Sequence, residues 1–242
     1  MKTEEFDYSL GSQVFRGYFA YDEHKPGKRP GVLVAHEAWG LGDHVRERAA
    51  RLADLGFAAL AVDMFGDGRQ AGSSEEGLQW TRSLRSDVPL LRARIRAAFD
   101  ALAAREQVDR DRIACIGYCF GGSTSIELAR SGAPVRGVVS FHGALQTQMP
   151  AERGVIRAKI VSITGADDPF IPLAQVDPFI EEMKHAGADA QVIVYTGVKH
   201  SFTNPRAAER GVPGLEYNRL ADERSWRTML AFFDEIFSEA SR

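Results

Sequence analysis

The sequence predicts an α/β protein: a doubly wound, mostly parallel sheet with helices on both faces. Two observations carry this. Short apolar runs recur along the chain and alternate with segments whose apolar residues fall at helical spacing. One such run also passes into one such helix through a tight, glycine-flanked turn, Gly117-Tyr118-Cys119-Phe120-Gly121-Gly122. With 242 residues, 44% of them hydrophobic, the chain is long enough to bury a sizeable core.

Taken in order, Phe6 to Tyr21 alternates loosely around Gly11 and Gly17 and reads as a hairpin on a sheet edge. Lys25 to Pro30 is a polar turn. Gly31 to His36 is an apolar run of the kind buried on both faces of a parallel sheet. Asp43 to Leu55 has helical spacing (Val45, Ala49, Leu52, Leu55), with Gly56 placed as a C-cap. The unit then repeats. Phe57 to Val62 is a strand, and Val88, Leu91, Ile95, Phe99 and Leu102 form a helical stripe. Arg112 to Gly117 is a strand followed by a helix from Gly121 to Arg130. Further strands are expected at Val135 to Phe141, Lys159 to Thr164 and Gln191 to Tyr195, with helices near Leu173 to His185 and Leu215 to Phe237. Phe65 to Asp87, rich in Gly, Ser and charge, reads as a long loop after a strand, a place where substrate contacts often lie. No linker, charge run or repeat divides the chain, so one domain, 1–242, without a large cap domain, is expected.

Composition excludes several function classes. The 30 Lys and Arg balance 33 Asp and Glu, and the net charge of −3 is scattered, against a nucleic-acid or membrane-surface footprint. No apolar run approaches the ~20 residues that span a bilayer. The acidic N-terminus lacks the plan of a signal peptide, which points to the cytoplasm. Two cysteines, Cys115 and Cys119, and no Cys/His cluster argue against a disulfide scaffold or a zinc module.

The glycine-flanked turn has the small-x-nucleophile-x-small pattern of a nucleophile elbow, with Cys119 where Ser is usual. Side chains at Gly117 or Gly121 would collide with the neighbouring backbone of so tight a turn. The helix N-terminus behind Cys119 favours thiolate. A phosphate loop would need a following Gly-Lys-Ser/Thr, which is missing. Cys115, inside a strand, fits a buried inert thiol. A cysteine nucleophile needs a base, and the base an orienting carboxylate. In chain order, Asp167 and Asp168 follow one strand and His200 follows the next. Either aspartate fits the acid role. Two backbone N–H groups, those of Phe120 and of Ala38 in His36-Glu37-Ala38-Trp39-Gly40, are placed to form an oxyanion hole. Glu37 is unusual beside such a hole. Its carboxylate reads as facing the thiol, ready to accept its proton or hold a resting hydrogen bond.

Together these residues resemble the dienelactone hydrolases (carboxymethylenebutenolidases), compact members of the α/β-hydrolase superfamily. The matching motifs are His36-Glu37-Ala38-Trp39-Gly40-Leu41, Asp63-Met64-Phe65-Gly66, the Cys119 elbow, the Asp168 turn and His200-Ser201-Phe202. The likeness runs from the Val32 strand to the C-terminal helix. It implies an α/β-hydrolase fold and a Cys119–His200–Asp168 triad, which selects Asp168 over Asp167. It also implies participation of Glu37 in activating Cys119, and hydrolysis of an ester or enol-lactone through an acyl-enzyme without metal or cofactor. The expected partner is thus a small ester or lactone, with the chain a monomer or small homo-oligomer. Trp39, His142, Ser201 and Phe202 are candidates for the substrate wall. Arg69 looks similar to one of two arginines that hold a substrate carboxylate in the family, and it would pair with Glu37 at rest. The second arginine is replaced by Asn204, with Arg206 nearby, and a family tyrosine pair is replaced by Phe141-His142. These departures leave open a general small-acyl carboxylesterase or thioesterase on the same fold. A ligand-binding protein without catalysis is the reading from another class.

Overall fold

The computed structural model describes residues 1–238; positions 239–242 of the expected domain lie outside the described residues. Eight strands form one sheet in the order β1-β2-β4-β3-β5-β6-β7-β8. The N-terminal hairpin, β1 (Lys2–Leu10) and β2 (Gln13–Tyr21), is antiparallel and occupies one edge, with β2 also antiparallel to β4. The remaining strands run parallel: β3 (Arg29–Ala35), β4 (Ala58–Val62), β5 (Val108–Tyr118), β6 (Gly137–Phe141), β7 (Lys159–Gly165) and β8 (Ala190–Tyr195).

Helices cover both faces because both faces of the inner strands are apolar. On one side α1 (Asp43–Asp54) and α6 (Arg219–Ser238) bury Val45, Ala49, Leu52, Trp226, Met229 and Phe233 against Val32, Val34, Ile116 and Val139. On the other, α3 (Val88–Ala103), α4 (Phe120–Arg130) and α5 (Val176–Ala186) bury Leu91, Ile95, Phe99, Ile126, Phe179 and Met183 against Leu33, Leu60, Cys115 and Val138. Each large side chain so buried contributes about 1.5–3 kcal/mol.

The expected architecture holds, with one substantial correction. The segment from Phe65 to Asp87 is not all loop: Ser74–Ser86 forms helix α2. Its N-terminus is capped, since Ser73 Oγ accepts the Glu76 N–H (3.2 Å) and Glu76 Oε2 accepts the Gly72 N–H (2.8 Å). Gly77 and a dense polar face mask the helical period in the sequence. The last helix starts at Arg219 rather than Leu215. Residues before it are bound instead to the neighbouring loop, with Glu216 N–H on His200 O and Asn218 N–H on Phe202 O.

Strand order reverses about β3, so the chain leaves β3 toward β4 and β5 returns on the other side. In such sheets the carboxyl ends at the reversal open a crevice. Here the ends of β3, β5, β6 and β7 align, pairing Ala35 with Gly117, Tyr118 with Phe141 and Phe141 with Ile163.

Candidate active site

Cys119 stands between β5 and α4 with φ 54° and ψ −114°, a left-handed conformation costly for a residue with a Cβ. The glycines make the turn possible: a Cβ on Gly117 would fall on the Gly121 carbonyl, and one on Gly121 on the Ala35 carbonyl. The Cys119 N–H donates to Phe141 O (2.9 Å) and to His142 Nδ1 (3.1 Å). Cys119 is half-buried in the wall of a cavity of about 740 Å³. Cys115 is fully buried in β5, and burial alone pushes its thiol pKa far up, matching an inert role.

The loop after β7 carries Asp168 and the loop after β8 carries His200. Asp168 is buried; its Oδ1 accepts the N–H groups of Phe170 (2.8 Å) and Ile171 (2.9 Å), and its Oδ2 lies 2.6 Å from His200 Nδ1. Asp167 is exposed. Burial would lower the pKa of His200, but the charge of Cys119 and hydrogen bonds to Asp168 and Cys119 override it and raise it to about 10. With Nδ1 on Asp168, Nε2 is the nitrogen left for Cys119. The ring is held toward its cationic form.

On the loop after β3, His36 Nδ1–H donates to Glu37 O (2.6 Å) while His36 Nε2 accepts the Met64 N–H (3.1 Å), fixing the path of Glu37-Ala38-Trp39. Ala38 and Phe120 both line the cavity, and among the described residues neither N–H is taken by another protein group. Phe120, as the first helical residue, has no intrahelical acceptor.

Glu37 corrects an expectation. Its buried carboxylate is not engaged by the thiol: Oε1 accepts Ser201 Oγ–H (3.1 Å), Oε2 accepts Asn204 Nδ2–H (2.6 Å), and His44 Nδ1 lies 3.3 Å from Oε2. Arg48 Nε donates to His44 Nε2 (3.3 Å), so the proton of a neutral His44 sits on Nδ1, toward Glu37. Burial would raise the pKa of Glu37, but the neighbouring imidazole of His44, that of His142 and the Asn204 hydrogen bond together bring it down to about 2. Glu37 therefore staples the Ala38 loop to the His200 loop.

The pocket walls bring further corrections. Trp39, His142 and Ser201 line the cavity, but Phe202 is fully buried behind it, edge-on to His142. Arg69 folds back on its own loop, donating to Phe65 O (2.5 Å) and Gly66 O (3.3 Å) and covering the Trp80 ring. Arg206 pairs with Glu47 at 2.9 Å. Neither arginine lines the cavity or meets Glu37. The arginines that do line it are Arg82 and Arg85 of α2, beside Leu78 and Thr81. They escaped notice because the segment read as loop, though Leu78, Thr81 and Arg85 recur at helical spacing. Among the described residues, no group of three or more His, Cys, Asp or Glu side chains is arranged to hold a metal ion. No helix there is long and apolar enough to cross a membrane.

The profile of the dienelactone hydrolase family matches residues 15–237. The chain belongs to the dienelactone hydrolase family. A dienelactone hydrolase-like promiscuous phosphotriesterase from metagenomic libraries is 42% identical, with a TM-score of 0.91 over 97% of this chain and 98% of that one. The structure named m3DLH is 44% identical, with a TM-score of 0.94 over the same shares of the two chains. A candidate carboxymethylenebutenolidase from Methylorubrum extorquens is 27% identical, over 81% of this chain and 72% of that protein. This family member is accordingly a carboxylic ester hydrolase with an α/β-hydrolase fold.

Proposed function

We propose that the chain hydrolyses a carboxylic ester or enol-lactone through an acyl group carried on Cys119, with His200 as base and acid and Asp168 as its orienter. The observation that carries this is an Asp168-bonded His200 lining the same cavity as Cys119 and two residues, Ala38 and Phe120, whose N–H groups are unengaged. The thiolate sulfur of Cys119 attacks the carbonyl carbon, and the oxygen, now negative, takes hydrogen bonds from Ala38 and Phe120 N–H. His200 Nε2–H passes its proton to the leaving oxygen as the C–O bond breaks, giving a thioester. His200 then takes a proton from water, whose oxygen attacks the thioester, and the acid leaves as the thiolate returns. Asp168 stabilises the imidazolium throughout. Glu37 acts by holding the two loops, not by taking the thiol proton. Rapid-quench mass spectrometry during turnover of p-nitrophenyl acetate should find the acyl group on Cys119. An adduct on Ser123 or Ser201, or full activity in Cys119→Ala, would end the claim.

The same arrangement suits a second electrophile. The relative that is 42% identical is a promiscuous phosphotriesterase. A phosphoryl oxygen can use the same two N–H groups, so slow turnover of a neutral aryl phosphotriester that vanishes in Cys119→Ala is the expected side activity.

A further inference from the structure

The geometry points to His142 as a positioning residue, whose ring ties the backbone of Cys119 to the loop carrying His200 and thereby sets the approach of nucleophile and base. This rests on the acyl-transfer reading above.

His142 follows β6 with φ 42°, and its own N–H is spent on Ile163 O (2.8 Å). Its side chain is fully buried and both ring nitrogens are occupied. Nδ1 faces the Cys119 N–H at 3.1 Å, and Nε2 lies 2.8 Å from Thr203 Oγ1. A backbone amide only donates, so Nδ1 carries no proton and Nε2–H donates to Thr203. The ring thus has a single neutral tautomer and no nitrogen free for substrate, which separates it from the wall residues Trp39 and Ser201.

What the ring joins matters. On one side is a nucleophile held in a left-handed conformation that persists only where its surroundings over-determine it. On the other is Thr203, three positions after His200, whose carbonyl also takes Arg48 Nη2 (2.5 Å). The His142 and His200 rings meet edge to face at 5.0 Å, and Phe202 closes the far side at 5.1 Å. Of the four non-glycine residues with positive φ among the described residues, three are Cys119, His142 and Ser201. The strain is gathered at one junction, and His142 spans it. A proton on Nδ1 would set N–H against N–H and break the tie. The charged or titratable groups facing the ring are His200, Glu37, His44, Arg48, Tyr118 and Cys119. Burial, followed by the charge of His200, keeps its pKa well below the ordinary value, with Glu37 acting in the opposite sense and His44 and Arg48 adding to the fall.

The test compares His142→Phe, which keeps a ring but neither nitrogen, with His142→Asn, whose carbonyl can still accept the Cys119 N–H. Turnover of p-nitrophenyl acetate is measured alongside the rate at which iodoacetamide alkylates Cys119, over about pH 5 to 9. His142→Phe should lower kcat and the alkylation rate by roughly 30–100-fold, with KM within about threefold, because small misplacements of reacting groups cost that much. His142→Asn should recover at least about tenfold of the loss. An unchanged kcat in His142→Phe, a loss confined to KM, or no recovery in His142→Asn would overturn the proposal. If His142→Phe does not fold, Thr203→Val decides: kcat should fall by about 3–10-fold, and a wild-type rate would refute the tie. If the wild type carries no acyl group on Cys119, the proposed reaction fails, while the alkylation rates still judge the role of His142.

Discussion

Replacing Glu37 with Gln tests whether the carboxylate is a structural staple or a proton acceptor. Its pKa falls from an ordinary 4.5 to about 2 in the folded protein. At about 1.4 kcal/mol per tenfold change in proton affinity, that difference corresponds to about 3 kcal/mol of stability. The sign follows from the depressed value: the contribution is fully present above pH 4.5 and is lost as pH falls toward 2. Glu37 is 4% exposed, so solvent screens little of it. Gln can still accept from Asn204 and donate to Ser201 Oγ, but it has no charge for His44. Urea unfolding at pH 7 should therefore show Glu37→Gln less stable by about 2–3 kcal/mol, with the gap from wild type closing toward pH 2. Acylation should slow less than about tenfold, since the carboxylate does not touch the thiol. A constant gap across the pH range would refute the electrostatic account. An acylation loss beyond about a hundredfold at intact stability would restore Glu37 as the proton acceptor.

Asp168→Asn should cut kcat on the order of 10⁴-fold while Asp167→Asn leaves it near wild type; steady-state rates on an aryl ester would expose a reversed assignment. The raised pKa of His200 stabilises the fold below pH 6.5, and that stability is lost as pH rises through about 10. Since the charge of Cys119 is the largest cause of the rise, Cys119→Ser should flatten the alkaline limb of the stability profile; superimposable limbs would contradict this. Combined Arg82→Ala and Arg85→Ala should raise KM for carboxylate-bearing esters by about tenfold and leave neutral aryl esters within about twofold. Arg69→Ala should affect both substrate types alike, and selectivity for charged esters in that variant would return the anion contact to Arg69.

The sheet was legible in the sequence because strands buried on both faces read as continuous apolar runs, as Val32–Ala35 and Ala58–Val62 do. The elbow was legible for a steric reason, since Gly117 and Gly121 leave no room for side chains. The position of the Glu37 carboxylate was not legible. Its partner His44 stands at the start of α1, but Ser201 and Asn204 come from a segment 164 and 167 residues away, and their convergence depends on how two loops fold over the sheet. Arg69 misled because its place in a motif says nothing about where a flexible side chain turns. It finds Phe65 and Gly66 carbonyls beside it before it can reach the cavity. Helix α2 was obscured because most of its surface faces water and its apolar positions are few.

Helix α2 also divides inheritance from adaptation. It lines the cavity beside Cys119 with Leu78, Thr81, Arg82, Arg85 and Ser86, yet supplies none of Cys119, His200, Asp168, Ala38 or Phe120. It enters between β4 and α3 without belonging to the sheet. Diversification of its exposed and cavity-facing positions can therefore retune which esters are accepted while the strained elbow and stapled loops stay intact. A library confined to Leu78, Arg82, Arg85 and Ser86 searches substrate range at little risk to the fold, whereas Gly77 must stay, since a Cβ there would fall on Ala38 O.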